Sequence, residues 1–265
     1  MDVLQLLRDG ELEVRGRLTA SSNAALVGIV SLPSPTGQAP APDPLPPGLL
    51  ARLLGDATPE PGHALAAVVY KPTAFEQPLW DFPDATLAQR EVAAFLLSEA
   101  SGWRIVPPTV LRDGPAGPGM VQLWLDEDPS VDAWELVQTA DPSLRPMALF
   151  DAVVNNTDRK GGHIVPLATD DGIHLHGVDH GVCFSVDPKL RTVLWAWHGT
   201  SIAPDELATL RMLRTQLDAD LGRTLGELLA PDELGATRVR LDELLATEVF
   251  PEPSTDWPAV PWPPY

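Results

Sequence analysis

Cysteine is nearly absent. Cys183 is the single one among 265 residues, so no intrachain disulfide can form and a reducing compartment is expected. Lysine is scarce too: Lys71, Lys160 and Lys189 stand against fifteen arginines. No apolar run approaches the ~18 residues of a membrane helix. The opening MDVLQLLRDGELEV lacks a basic flank and a small-residue cleavage site, which predicts no signal peptide. A cytoplasmic location is the expectation. Positive charge is short overall, with 18 basic residues against 37 acidic ones and a formal net charge of −19. Such a surface repels nucleic acid and anionic headgroups, so neither nucleic acid nor integral membrane contact is expected.

Proline is abundant, with 29 residues, many of them in two stretches. Residues 33–48, PSPTGQAPAPDPLPPG, can form neither core strand nor helix and predict a disordered, proline-rich loop. The Pro/Trp tail at 249–265 is equally unsuited to regular structure. Its Trp257 and Trp262 suggest either docking on a partner or a strap against the protein's own body.

Between these stretches the hydrophobic pattern is legible. Residues 2–9 predict a short helix, and 11–18 alternate as a half-buried strand does. An apolar run at 24–32 completes a hairpin over the small residues 19–23. ALAAVVY at 64–70 predicts a buried strand ending at Lys71-Pro72. Residues 85–100 predict a helix stopped by Gly102, followed by short strands near 104–111 and 119–125. Helices are expected at 131–139, 144–154, 204–230 and 231–248, and a hairpin at 164–178. The order predicts an α+β protein with a strand-rich lobe over 1–125 and a mainly helical lobe over 126–248.

Four pieces carry chemistry. They are the turn with Ser21, Ser22 and Asn23, the strand-end Lys71, Glu91 on the next helix, and the pair NNTDRKGGH (155–163) and GVDHG (177–181) flanking a hairpin. Phosphoryl transfer needs such parts. Tight turns of small residues offer backbone N–H groups to phosphates. A lysine neutralises the α/β-phosphates and a helix carboxylate holds it. One further carboxylate orients the acceptor hydroxyl and another holds the bridging metal. Asp158 and Asp179 lie at opposite ends of the hairpin, so both can face one cleft.

With AAVVYKP (66–72), REVAAFLL (90–97), NNTDR (155–159) and VDHG (178–181), the chain resembles the phosphatidylinositol 3-/4-kinase-related superfamily. Within it, the likeness is to small actinobacterial kinase-like proteins. The resemblance implies a reduced two-lobed protein/lipid-kinase-like fold binding ATP with Mn²⁺ or Mg²⁺. It implies that Lys71 contacts phosphate, that Glu91 pairs with it, and that Gln122, Leu123 and Trp124 in the hinge VQLWLD meet adenine through backbone groups. Asp158 would be catalytic, with Arg159 bracing its loop, and Asp179 would bind the metal. Where lipid kinases of this group carry an asparagine metal ligand, this chain has His163, an imidazole better suited to Mn²⁺ than to Mg²⁺.

The implied function is an ATP-dependent phosphotransferase acting on a protein Ser or Thr hydroxyl, with Ser31, Ser34 and Thr36 as reachable candidates for autophosphorylation. A small-molecule or lipid acceptor and a nucleotide-binding pseudokinase without turnover are the alternatives. His174, His176, His180 and Cys183 within ten residues also raise a zinc site, though their spacing matches no standard motif.

Overall fold

The computed structural model describes residues 2–18, 25–34, 48–56, 60–169 and 172–265. The chain divides into two compact units, Met1–Ala88 with Pro107–Asp126, and Gln89–Val106 with Glu127–Tyr265. The turn residues Ser21, Ser22 and Asn23, Thr36, and the proline-rich stretch 35–47 lie outside the described residues.

The first unit is built on five antiparallel strands: β1 (Glu11–Arg17), β2 (Leu26–Pro33), β3 (His63–Pro72), β4 (Thr109–Gly114) and β5 (Gly117–Leu123). Their order across the sheet is β1-β2-β3-β5-β4. Helix α1 (Val3–Asp9) covers one face, placing Leu6 and Leu7 on Leu12, Val30, Val68, Tyr70, Val110 and Val121. Each such leucine contributes about 1.5–3 kcal/mol on burial. Asp2 caps the start of α1 through the Leu4 N–H, and Arg112 reaches the Leu7 and Gly10 carbonyls at its other end. One orphan group at each helix end is thereby partnered.

The opposite face holds Val27, Ala67 and Leu49, the last from α2 (Leu49–Leu54), a helix the proline-rich surroundings hid from sequence reading. The Asp126 carboxylate accepts the Leu49 N–H at 2.8 Å and so caps α2. Gly114 has no room for a side chain, since a Cβ there would sit 2.7 Å from the Tyr70 ring. The segment RDGPAGPG, between the strands expected near 104–111 and 119–125, is itself paired through to Gly114↔Gly117. Strand period places Lys71 on the same face as Ala67, opposite Met120 of β5.

The second unit contains most of α3 (Leu87–Ser101), then α4 (Ala133–Gln138) and α5 (Arg145–Val154). A two-stranded ribbon of β6 (Ile164–Thr169) and β7 (Gly172–Gly177) follows, then α6 (Pro204–Leu217), α7 (Asp220–Leu225) and α8 (Pro231–Thr247). From Met147 to Val154 every residue of α5 is buried, which is why its sequence is apolar on all sides except for Asp151. Helices α6 and α8 begin alike, with proline in the first turn and a glutamate reaching back to the cap N–H: Glu206 to Ala203, Glu233 to Ala230.

The helix expected over 204–230 is broken after Leu217. There Arg238 takes the Leu217 carbonyl at 2.6 Å, and a Cβ on Gly222 would lie 1.9 Å from the same oxygen. Among the described residues no helix is long and apolar enough to cross a membrane.

Candidate active site

The loop after α5 is shaped by its two asparagines. Asn155 closes the helix in the left-handed conformation at φ 50°, which asparagine tolerates better than most residues. Its amide donates to the Ser185 and Asp187 carbonyls, and its oxygen accepts the Lys189 N–H. That side chain is committed to backbone and is not turned to a metal. Asn156 accepts the Asp158 N–H at 3.0 Å and donates to Asp151 at 3.0 Å, fixing the turn that presents Asp158.

Arg159 is the hub of the loop, and its side chain is fully buried. It donates to the Asp151 carboxylate through Nε and Nη2, the latter at 2.9 Å. Its Nη1 donates to the His163 and Val178 carbonyls, at 3.2 Å each. Its Nη2 also lies 2.6 Å from His180 Nε2. Guanidinium has no acceptor atoms, so that ring nitrogen accepts and the His180 proton sits on Nδ1. A Cβ on Gly177 would fall 2.8 Å from Nη2, so the bare glycine leaves room for the guanidinium. Arg159 therefore bonds the residue before Asp179 and a residue of the Asp158 loop at once. It meets no solvent and braces the loop.

This brace brings the Asp158 backbone, the His163 ring and the Asp179 carboxylate together. His163 Nδ1 lies 2.9 Å from the Asp158 carbonyl, which can only accept, so Nδ1 carries the ring proton. Nε2 then offers its lone pair, and it faces Asp179 Oδ2 at 3.6 Å. Two acceptors so opposed are reconciled by a proton or a metal cation between them. Burial holds the His163 pKa below its usual value, against the pull of Asp179, and so favours the lone-pair form. Asp179 itself stands at φ 62° with about half of its side chain exposed. Glu91 of α3 is buried and accepts the N–H of His180, tying the helix to the residue after Asp179 at 2.9 Å.

A metal fits the His163–Asp179 pair. Among the described residues no group of three or more His, Cys, Asp and Glu side chains converges as a metal site. Remaining positions around a cation would fall to phosphate oxygens and water, as is usual for nucleotide-bound Mg²⁺. The zinc alternative is not assembled. His174 and His176 bond the Arg104 and Ile105 carbonyls, His180 meets Arg159, and Cys183 is buried with its thiol pKa pushed well up by desolvation.

Sequence reasoning gave no role to Lys160, whose ammonium lies 2.9 Å from the Asp158 carboxylate. Its signal was its rarity, one lysine of three. Asp151 is the acid of the Arg159 pair. An acid inside an apolar helix, eight residues before an arginine, was the clue to that buried pair.

In the first unit, Lys71 is half-buried at the penultimate position of β3. Gln122, Leu123 and Trp124, the expected hinge, have donors engaged within the first unit. The Leu123 and Trp124 N–H groups already donate to the Pro108 and Ala67 carbonyls at 2.9 Å each, and the Gln122 amide donates to Thr109. These donors are used by the sheet.

No family model matches the chain. Protein Rv2133c of Mycobacterium tuberculosis is 38% identical over 293 residues, covering 97% of this chain and 94% of that protein. The Golgi casein kinase with Mn/ADP bound matches with a TM-score of 0.55 at 14% identity, over 92% of this chain and 74% of that one. Hydra Fam20 with sugar matches with a TM-score of 0.52 at 14% identity, over 92% and 87%. At such identities the likeness establishes the fold, which is kinase-like: mixed α/β with an antiparallel sheet. The chain belongs to the family of the mycobacterial protein Rv2133c.

Proposed function

We propose that this protein is an ATP-dependent phosphotransferase of the phosphatidylinositol 3-/4-kinase-related type that phosphorylates a serine or threonine of a protein substrate or of itself. The observation that carries the reading is the Arg159 brace, which ties the Asp158 loop to Asp179 and sets His163 Nε2 3.6 Å from the Asp179 carboxylate. The likeness of fold to a kinase bound to Mn/ADP supports it.

ATP with Mn²⁺ or Mg²⁺ would supply the phosphoryl group and neutralise its charge. Asp179 and His163 would hold that cation, the imidazole favouring Mn²⁺. The Asp158 carboxylate, partly exposed, orients an acceptor hydroxyl and takes its proton. The Lys160 ammonium beside it offers a positive charge to oxygens accumulating negative charge. Lys71 keeps the proposed role of phosphate contact. Glu91 fixes the backbone next to Asp179, so its proposed contribution is to the metal side as well as to the lysine.

The test is transfer of labelled γ-phosphoryl from ATP to casein and to the protein itself, with Mn²⁺ or Mg²⁺. Wild type transfers label, and Asp158→Asn loses about 10²–10⁴-fold in turnover while still binding nucleotide. Nucleotide binding by wild type with no transfer to any hydroxyl would overturn turnover and leave a pseudokinase.

A further inference from the structure

The stretch 257–265 is not a loose end but lies along the Asp158 loop. The Ala259 carbonyl accepts two donors, the Thr192 N–H at 3.0 Å and the Trp195 Nε1–H at 2.8 Å. Five residues on, the Pro264 carbonyl accepts the Gly161 N–H at 2.8 Å. Trp257 lies under the Lys189 ammonium, 4.6 Å from ring centroid to nitrogen. Tyr265 meets Trp134 of α4 edge to face, with ring centroids 5.8 Å apart.

Both rings close on one atom. A Cβ on Gly161 would lie 2.6 Å from Trp134 and 2.7 Å from Tyr265, so Gly161 is held between them with its only backbone donor taken by Pro264. Gly161 opens the short 3₁₀ turn Gly161–His163, whose closing bond runs from the His163 N–H to the Lys160 carbonyl. That turn sets the His163 ring on the Asp158 carbonyl. The other anchor is connected to the same loop. Thr192 bonds Ala259 on one side and the Asp151 carboxylate on the other, and its neighbours Arg191 and Val193 pair with Asn156 and Arg159.

We propose that residues 257–265 are a strap, and that Tyr265 and Trp134 are positioning residues that hold Gly161 and thereby the Asp158–His163 turn. The strap acts on the turn through the Gly161 backbone. This rests on the functional reading only for its effect on turnover; the ordering of the turn stands apart from it. Trp262, exposed to 86%, takes no part in the clamp and serves as an internal control.

The experiment compares the wild-type protein with Tyr265→Ala, Tyr265→Phe and Trp262→Ala. Amide hydrogen exchange is read residue by residue, beside thermal unfolding and steady-state phosphotransfer. In Tyr265→Ala the amides of Gly161 and His163 exchange about tenfold faster while those of α5 and α8 do not change. Tyr265→Phe restores protection, and Trp262→Ala resembles wild type. With an active enzyme, kcat falls in Tyr265→Ala at unchanged KM for ATP.

Unchanged Gly161 exchange in Tyr265→Ala overturns the proposal. So does faster exchange throughout the second unit with a lowered unfolding midpoint, which marks general stability. An active enzyme whose kcat ignores a loosened turn overturns the positioning role. If wild type transfers no phosphate at all, the functional reading fails and the exchange data alone decide the strap.

Discussion

The Asp151 carboxylate and the Arg159 guanidinium form an ion pair in which neither side chain is exposed, with Nη2 and Oδ1 2.9 Å apart. Asn156 and Thr192 donate to the same carboxylate, and two carbonyls and His180 take remaining arginine donors. A buried pair so fully bonded adds little net stability over apolar packing, yet removing one partner strands the other charge. Asp151→Ala should therefore destabilise by about 3–5 kcal/mol in urea unfolding. A change under about 1 kcal/mol would mean that the guanidinium is not held as described.

Glu91 invites a subtler substitution. Its Oε2 accepts the buried His180 N–H, and Gln retains an acceptor oxygen where Ala does not. Glu91→Ala is expected to cost about 1–3 kcal/mol, and Glu91→Gln distinctly less. Equal unfolding midpoints for the two variants would contradict this role.

What the sequence disclosed here follows the range of its signals. The two loops, NNTDR and VDHG, were legible because the chemistry needs those side chains within short stretches. Strands β1, β2 and β3 showed through their alternation or apolar runs. Helix α2 did not, because its cap, Asp126, is 77 residues away from the N–H it accepts. The break after Leu217 depends on Arg238 and on the bareness of Gly222, neither visible in local periodicity. Arg159 read as part of the loop, but its burial rests on Asp151 of α5 and on Val178 and His180 of the VDHG segment. The commitment of the Leu123 and Trp124 donors depends likewise on sheet pairing, which no single strand's pattern specifies.

A pH dependence follows from His176. Burial, helped by the neighbouring His174, lowers its pKa to about 4, against the bond from Nδ1–H to the Ile105 carbonyl. Between the unfolded value near 6.5 and about 4, the unfolded chain binds more protons than the folded one. Stability is then complete above about 6.5 and is lost as pH falls through that window. Discounted for the part-exposed ring, the loss is on the order of 1–2 kcal/mol. His176→Gln should flatten this slope of unfolding free energy with pH; an unaltered slope would exclude His176 as its source.

The pairing of His163 with Asp179 is open to direct observation. Crystals grown with a non-hydrolysable ATP analogue and Mn²⁺ would report the metal by its anomalous scattering. The expected result is one peak within coordination distance of both His163 Nε2 and an Asp179 oxygen, lost in Asp179→Asn. A bound nucleotide whose metal lies away from both residues, or Mn²⁺ density indifferent to Asp179→Asn, would contradict the account.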